Sequence, residues 1–146
     1  MKILIINGVN LNKLGKRDPN QYGTLSLDQI EFIIKNEFPG ISFEFIQSNS
    51  ENEICEQIQN ANKIFNGIVI NPGAFTHTSI AIRDAIETCP VPVVEVHLSN
   101  ISARESFRKI QITSAKAAGY ISGFKENSYL AAVYILKKII QAQQSR

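Results

Sequence analysis

The chain has 146 residues, of which 44% are apolar and 19% charged, with a formal net charge of +2. These proportions predict one globular domain over residues 1–146 and exclude a disordered or fibrous chain. The small charge, with no run of like charges, argues against tracking a phosphate backbone, and no apolar run reaches the length of a signal h-region or a membrane span, so the expectation is a cytoplasmic protein that binds neither nucleic acid nor membrane.

Lys2–Asn7 is a short apolar run ending in Asn-Gly, the pattern of a strand buried on both faces. Gly8–Thr24 is a long irregular stretch, and loops of that length are often lids or binding loops. Ser26–Phe38 is predicted as a helix, because Leu27, Ile30, Ile34 and Phe38 share a stripe, Ser26 and Gln29 form a capping box, and Pro39-Gly40 stops the run. Ile41–Gln47 is the next strand. A second capping box, Ser50 to Glu53, opens a helix with Ile54, Ile58 and Ala61 inward. Gly67–Asn71 is a strand cut off by Pro72-Gly73. Ser79–Glu87 is a helix, Val91–His97 a strand, Ala103–Ile110 a short helix, Gly119–Ser122 a weak strand and Ser128–Gln141 the last helix. Alternation at this period predicts a five-stranded parallel sheet with helices on both faces and right-handed connections.

In open α/β sheets, ligands bind beyond the carboxyl ends of the strands. Those ends here are Asn7-Gly8-Val9-Asn10, then Asn71-Pro72-Gly73 running on to Thr76-His77, and Glu95-Val96-His97-Leu98-Ser99-Asn100. Both histidines of the chain therefore fall on one rim, with several asparagines and the long loop that carries Arg17 and Tyr22. Known phosphate and cofactor patterns fail at these positions. Gly8 to Gly15-Lys16 is spaced too widely for a phosphate loop, and Arg17 stands where a magnesium-binding hydroxyl is required. No G-x-G-x-x-G, no G-x-S-x-G and no carboxylate cluster beside the histidines is present, so no cofactor and no metal are expected. Cys55 and Cys89 read as reduced, packed thiols.

Tyrosine, histidine, arginine and asparagine around a polar pocket suit proton transfer on a small anion. An ordinary tyrosine, with a pKa of about 10, is a poor base at neutral pH. A guanidinium at ~4 Å in an effective dielectric of ~20 stabilises the phenolate by about 4 kcal/mol, and Arg17 is the candidate. A histidine can then protonate a leaving hydroxyl, and asparagine amides can hold an enolate oxygen. Proton abstraction beside a carbonyl followed by loss of hydroxide is a dehydratase reaction. The plain reading of the same residues is that the asparagines satisfy turns, that Arg104 and Arg108 form a solvated helical stripe with Glu105, and that Tyr129 and Tyr134 are packing.

Three blocks carry a family resemblance. Asn7-Gly8-Val9-Asn10-Leu11-Asn12 through Gly15-Lys16-Arg17, with Tyr22-Gly23, resembles the opening of type II 3-dehydroquinate dehydratases. So do Gly67 through Ser79 with Arg83-Asp84, and Val94 through Asn100 with Ala103-Arg104-Glu105 and Phe107-Arg108. The resemblance implies a flavodoxin-like three-layer sandwich and a cofactor-free anti elimination, through an enolate, of water from 3-dehydroquinate to 3-dehydroshikimate in the shikimate pathway. By matching position it makes Tyr22 the base, Arg17 its activator, and His97 the proton donor to the leaving hydroxyl. Asn10 and Asn71 become the residues that place the substrate and a water at the enolate. His77, Leu98, Ser99 and Arg108 become ring-hydroxyl and carboxylate contacts, with Arg104 in the same polar network. It also implies trimers assembled into a homododecamer, with Asp84 donated across a subunit contact. The chain departs from the family at Val9, where proline is usual, at Ser48-Asn49-Ser50-Glu51, which lacks a histidine, and at Gly123–Tyr129, which lacks the second glycine and the Gly-Tyr pair. Two readings of different class follow: the dehydratase, and a non-catalytic module of this fold holding a small carboxylate at the sheet rim. Nucleic-acid binding through Lys13–Arg17 is a third, weaker one.

Overall fold

The computed structural model of the protein describes residues 1–146. Five strands, β1 (Lys2–Asn7), β2 (Ser42–Gln47), β3 (Gly67–Asn71), β4 (Val93–His97) and β5 (Gly119–Ser122), form one parallel sheet in the order β2-β1-β3-β4-β5. The helices are α1 (Pro19–Tyr22), α2 (Leu27–Glu37), α3 (Glu51–Asn60), α4 (Ile80–Thr88) and α5 (Glu126–Gln144). This is the flavodoxin-like arrangement expected, with the strand order reversing between β1 and β3.

Strand alternation divides the core into two layers, because successive side chains point to opposite faces of the sheet. Ile3, Ile5, Val69, Val94 and Val96 face α2 and α5, meeting Ile30, Ile34, Ala132, Val133 and Leu136. Leu4, Ile6, Ile68, Ile70 and Val93 face α3 and α4, meeting Ile54, Ile58, Ile82 and Ile86. The three central strands β1, β3 and β4 are almost wholly buried, as their unbroken apolar runs require, whereas the edge strands β2 and β5 are partly exposed.

The Ser26–Gln29 capping box forms in full. At Ser50 only half of the predicted box forms: its hydroxyl accepts from the Glu53 N–H, but the Glu53 carboxylate takes the Ser48 hydroxyl, whose oxygen in turn accepts from the Ser50 N–H. The helix expected over Ala103–Ile110 is two 3-10 turns, Ile101–Ala103 and Ser106–Lys109, separated by an extended Arg104 (φ −104°, ψ −156°). The stretch Gly8–Thr24 is not structureless either. Leu11 and Leu14 are buried against the α2/α5 layer, and α1 is framed by an Asp18 N-cap, Pro19 in its first turn and Gly23 after its end.

Two glycines bring the rims of β1 and β3 together. A Cβ on Gly8 would lie 2.4 Å from the Pro72 carbonyl oxygen, and one on Gly73 (φ 62°) would lie 2.6 Å from that of Val9. No side chain fits either gap, and the contact sets Asn10 beside Asn71 at the point where the strand order reverses.

Candidate active site

One cleft lies across the carboxyl ends of β1, β3 and β4. It is lined by Asn10, Arg17, Tyr22, Asn71, His77, His97, Leu98, Ser99, Arg104 and Arg108, together with Val9, Leu11, Gly73, Ala74 and Ile101. All of the site residues expected from sequence are therefore gathered except Asp84. That residue sits on the exposed side of α4, paired with Arg83 at 2.6 Å, away from this chain's own cleft.

The phenol and its cation meet as the loop spacing suggested. Arg17 Nη2 donates to Tyr22 Oη at 2.7 Å while the guanidinium stacks 3.8 Å from the ring centroid. Arg104 adds a second guanidinium 5.1 Å from the same ring. Both guanidiniums thus lie over the phenol ring, and Arg17 alone bonds to its hydroxyl. Arg104 also donates to Ser99 Oγ at 3.1 Å, and its buried Nε has no hydrogen-bond partner. The extended backbone at Arg104 is what turns this side chain inward, so Arg104 and Arg108 do not form the solvated stripe that helical spacing permitted.

His97 is held by a residue that the sequence reading passed over. Glu95 is fully buried, with Oε1 2.7 Å from His97 Nε2. The carboxylate also accepts from the Thr76 and Thr113 hydroxyls, each at 2.7 Å. This engages Nε2 and leaves Nδ1 as the imidazole nitrogen free for a ligand. The signal was present: Glu95 is the one charged residue in the apolar run Val91–Val96, and it stands two positions before His97, on the same face of the strand.

Tyr129, read from sequence as packing, is likewise part of the site's support. Its hydroxyl donates to Asn7 Oδ1 at 2.6 Å and accepts from Asn71 Nδ2 at 3.0 Å. Burial pushes this phenol far above the usual tyrosine range, so it stays neutral and can make both bonds. Asn71 Oδ1 accepts from the Gly73 N–H at 3.1 Å. The amide is thus fixed at both ends, with one N–H hydrogen left over. Asn10 takes a left-handed backbone (φ 67°) that asparagine tolerates, and its N–H donates to Asn49 Oδ1 at 3.0 Å. At the end of β4, the Leu98 and Ser99 N–H groups have no protein acceptor. Two free consecutive amides, with Arg104 and Arg108 lining the same cleft, are donors of the kind that suit an anion.

His77 Nδ1 lies 2.7 Å from the Ile110 carbonyl oxygen, so that nitrogen carries the hydrogen and donates. Burial, with help from the Arg108 charge, holds His77 below the ordinary imidazole value, which leaves Nε2 unprotonated as an acceptor for a hydroxyl. The consequence for stability has a definite sign. A folded value below the unfolded 6.5 means that His77's contribution is complete above pH 6.5 and is lost as pH falls through the folded value. Urea midpoints taken from about pH 7.5 down to about pH 5 should fall, and His77→Gln should flatten part of that decline.

A doubly wound parallel sheet whose rim offers a cation-flanked phenol, a carboxylate-held imidazole and free amides defines a flavodoxin-like protein with a pocket for a small, oxygen-rich anion. The family model for class II dehydroquinase matches residues 1–137. A 3-dehydroquinate dehydratase of Fusobacterium nucleatum is 50% identical over 144 residues, covering 94% of this chain and 97% of that protein. One from Bacillus cytotoxicus is 46% identical, covering 97% and 99%. The crystal structure of the type II dehydroquinase of Butyrivibrio crossotus superposes with a TM-score of 0.91 at 42% identity, covering 94% of this chain and 97% of that one. The chain belongs to the class II dehydroquinase family.

Proposed function

We propose that this cleft removes water from 3-dehydroquinate to give 3-dehydroshikimate, the hydro-lyase step of the shikimate route to aromatic amino acids, by anti elimination through an enolate and without metal or nucleotide. The Tyr22 phenolate takes the proton beside the ketone, and the C–H electron pair passes into the carbonyl oxygen. Arg17 stabilises the phenolate beforehand. Asn10 and the doubly anchored Asn71 hold the enolate oxygen, directly or through a water. The enolate then collapses, the C–OH bond breaks, and His97 gives its proton to the departing hydroxyl so that water leaves. Glu95 fixes which imidazole nitrogen faces the substrate and stabilises the cation before transfer. The Leu98 and Ser99 amides with Arg104 and Arg108 bind the carboxylate, and neutral His77 accepts from a ring hydroxyl.

The observation that carries this reading is the 2.7 Å bond between Arg17 and Tyr22 at the mouth of the same cleft as His97. A module that only binds a carboxylate needs the guanidinium and has no use for the phenol. Asp84, exposed on α4, fits a role in a neighbouring subunit's cleft, and with it the trimer-based dodecamer. No helix is long and apolar enough to cross a membrane, which fits action in the cytoplasm. The deciding experiment adds 3-dehydroquinate to the purified protein in the presence of a chelator. Growth of the ultraviolet absorbance of the conjugated enone is expected; a flat trace with bound substrate would leave the binding module as the function.

A further inference from the structure

Lys125 has φ 52° and ψ −134°, a backbone region that glycine enters freely and a residue with a Cβ does not. It also stands at the N-cap of the 19-residue α5, the end where the helix dipole disfavours a cation. Two unfavourable choices at one position call for a compensating role. The conformation is held from several sides. The Lys125 N–H donates to the Leu98 carbonyl at 2.9 Å, and its own carbonyl accepts from the Ser128 N–H at 3.0 Å. The buried Ser128 hydroxyl accepts from the adjacent Phe124 N–H at 3.0 Å. The side chain is half-buried. Its stem crosses the end of α1, where a methyl built on Gly23 would lie 3.4 Å from Lys125 Cδ. Gly23 (φ 75°, ψ −171°) follows Tyr22 directly and forms the joint that ends α1.

We propose that Lys125 is a positioning residue for Tyr22. Its strained backbone aims the aliphatic stem across the Gly23 joint, while its N–H holds the loop that presents the Leu98 and Ser99 amides. One residue thereby sets the distance between the phenol and the carboxylate site. The effect on turnover rests on the reading of Tyr22 as the base; the mechanical hold does not.

The test compares Lys125→Gly, which removes strain and stem together, with Lys125→Met, which keeps a stem and removes the charge. Lys125→Gly should melt at or above the wild-type midpoint. Its kcat should fall about tenfold with KM within about threefold, because a misplaced base costs rate more than binding. Amide hydrogens of residues 18–24 should exchange about tenfold faster in that variant. Lys125→Met should restore both kcat and exchange to near wild type. Unchanged exchange and kcat in Lys125→Gly, a lowered midpoint in it, or a methionine variant that behaves like the glycine one would each overturn the proposal. Wild-type protein inactive on 3-dehydroquinate would refute the functional reading instead, and the exchange comparison would still decide the hold on the Tyr22 segment.

Discussion

Tyr22→Phe should lower turnover of 3-dehydroquinate by about 10³-fold while the affinity for substrate or product stays within about tenfold. The substitution deletes one oxygen and keeps the ring. The stacking of Arg17 on that ring, at 3.8 Å, survives, so the segment stays in place and the cation still lines the cleft. What is lost is the 2.7 Å bond from Arg17 and the basic oxygen itself. Both act on the transition state, where the proton is in flight, far more than on the bound substrate. Steady-state kinetics with calorimetric titration of the product separates the two. A variant with wild-type kcat would remove Tyr22 from the chemistry, and a variant that loses rate and affinity together would make the phenol a binding contact.

Glu95→Gln should cost about 10²-fold in kcat and about 1–3 kcal/mol of stability, a joint loss that no exposed carboxylate would produce. The fully buried carboxylate accepts from three donors, namely His97 and the Thr76 and Thr113 hydroxyls. An amide of the same shape has one accepting oxygen and a donating nitrogen. A threonine hydroxyl can turn to accept from the new amide N–H, since Thr113 Oγ1 lies 3.0 Å from Thr76 Oγ1, but the His97 N–H cannot, and the buried network loses its charged acceptor. The imidazole is freed to turn, and its cationic form loses the negative charge beside it. Urea unfolding reads the first effect and the pH dependence of kcat reads the second. Lost stability with an unchanged pH profile would make Glu95 a structural anchor only.

How far the chain could be read differs by element, and the reasons are local. β1, β3 and α2 were legible because each rests on a pattern within its own segment: a doubly buried apolar run, or an apolar stripe with a capping box. Ala103–Ile110 failed because its helical spacing competes with the inward turn into the cleft of Arg104, whose extended backbone splits the segment into two turns. α1 was hidden by its four-residue length, although Asp18-Pro19 and Gly23 mark its two ends. In the site, His77 and His97 announced themselves as chemically capable side chains beyond strand ends, and Arg17 and Tyr22 as such side chains on the long loop after β1. Glu95 did not, because a carboxylate inside an apolar strand has meaning only once the threonines that share it are known, and those come from separate segments.

The sequence alone determined the alternation of strands and helices, the parallel sheet and the rim where chemistry collects, because periodicity and turn residues act over a few neighbours. It also held the resemblance that names the reaction. The tertiary structure decided which partners complete each group: Glu95 for His97, Tyr129 for Asn71, Lys125 for the Gly23 joint. The contacts of Tyr129 and Lys125 join residues far apart in the chain, and the Glu95–His97 pair, though two residues apart, is completed by Thr76 and Thr113 from other segments; no local propensity encodes a contact whose ends are brought together only when the sheet and its covering helices close.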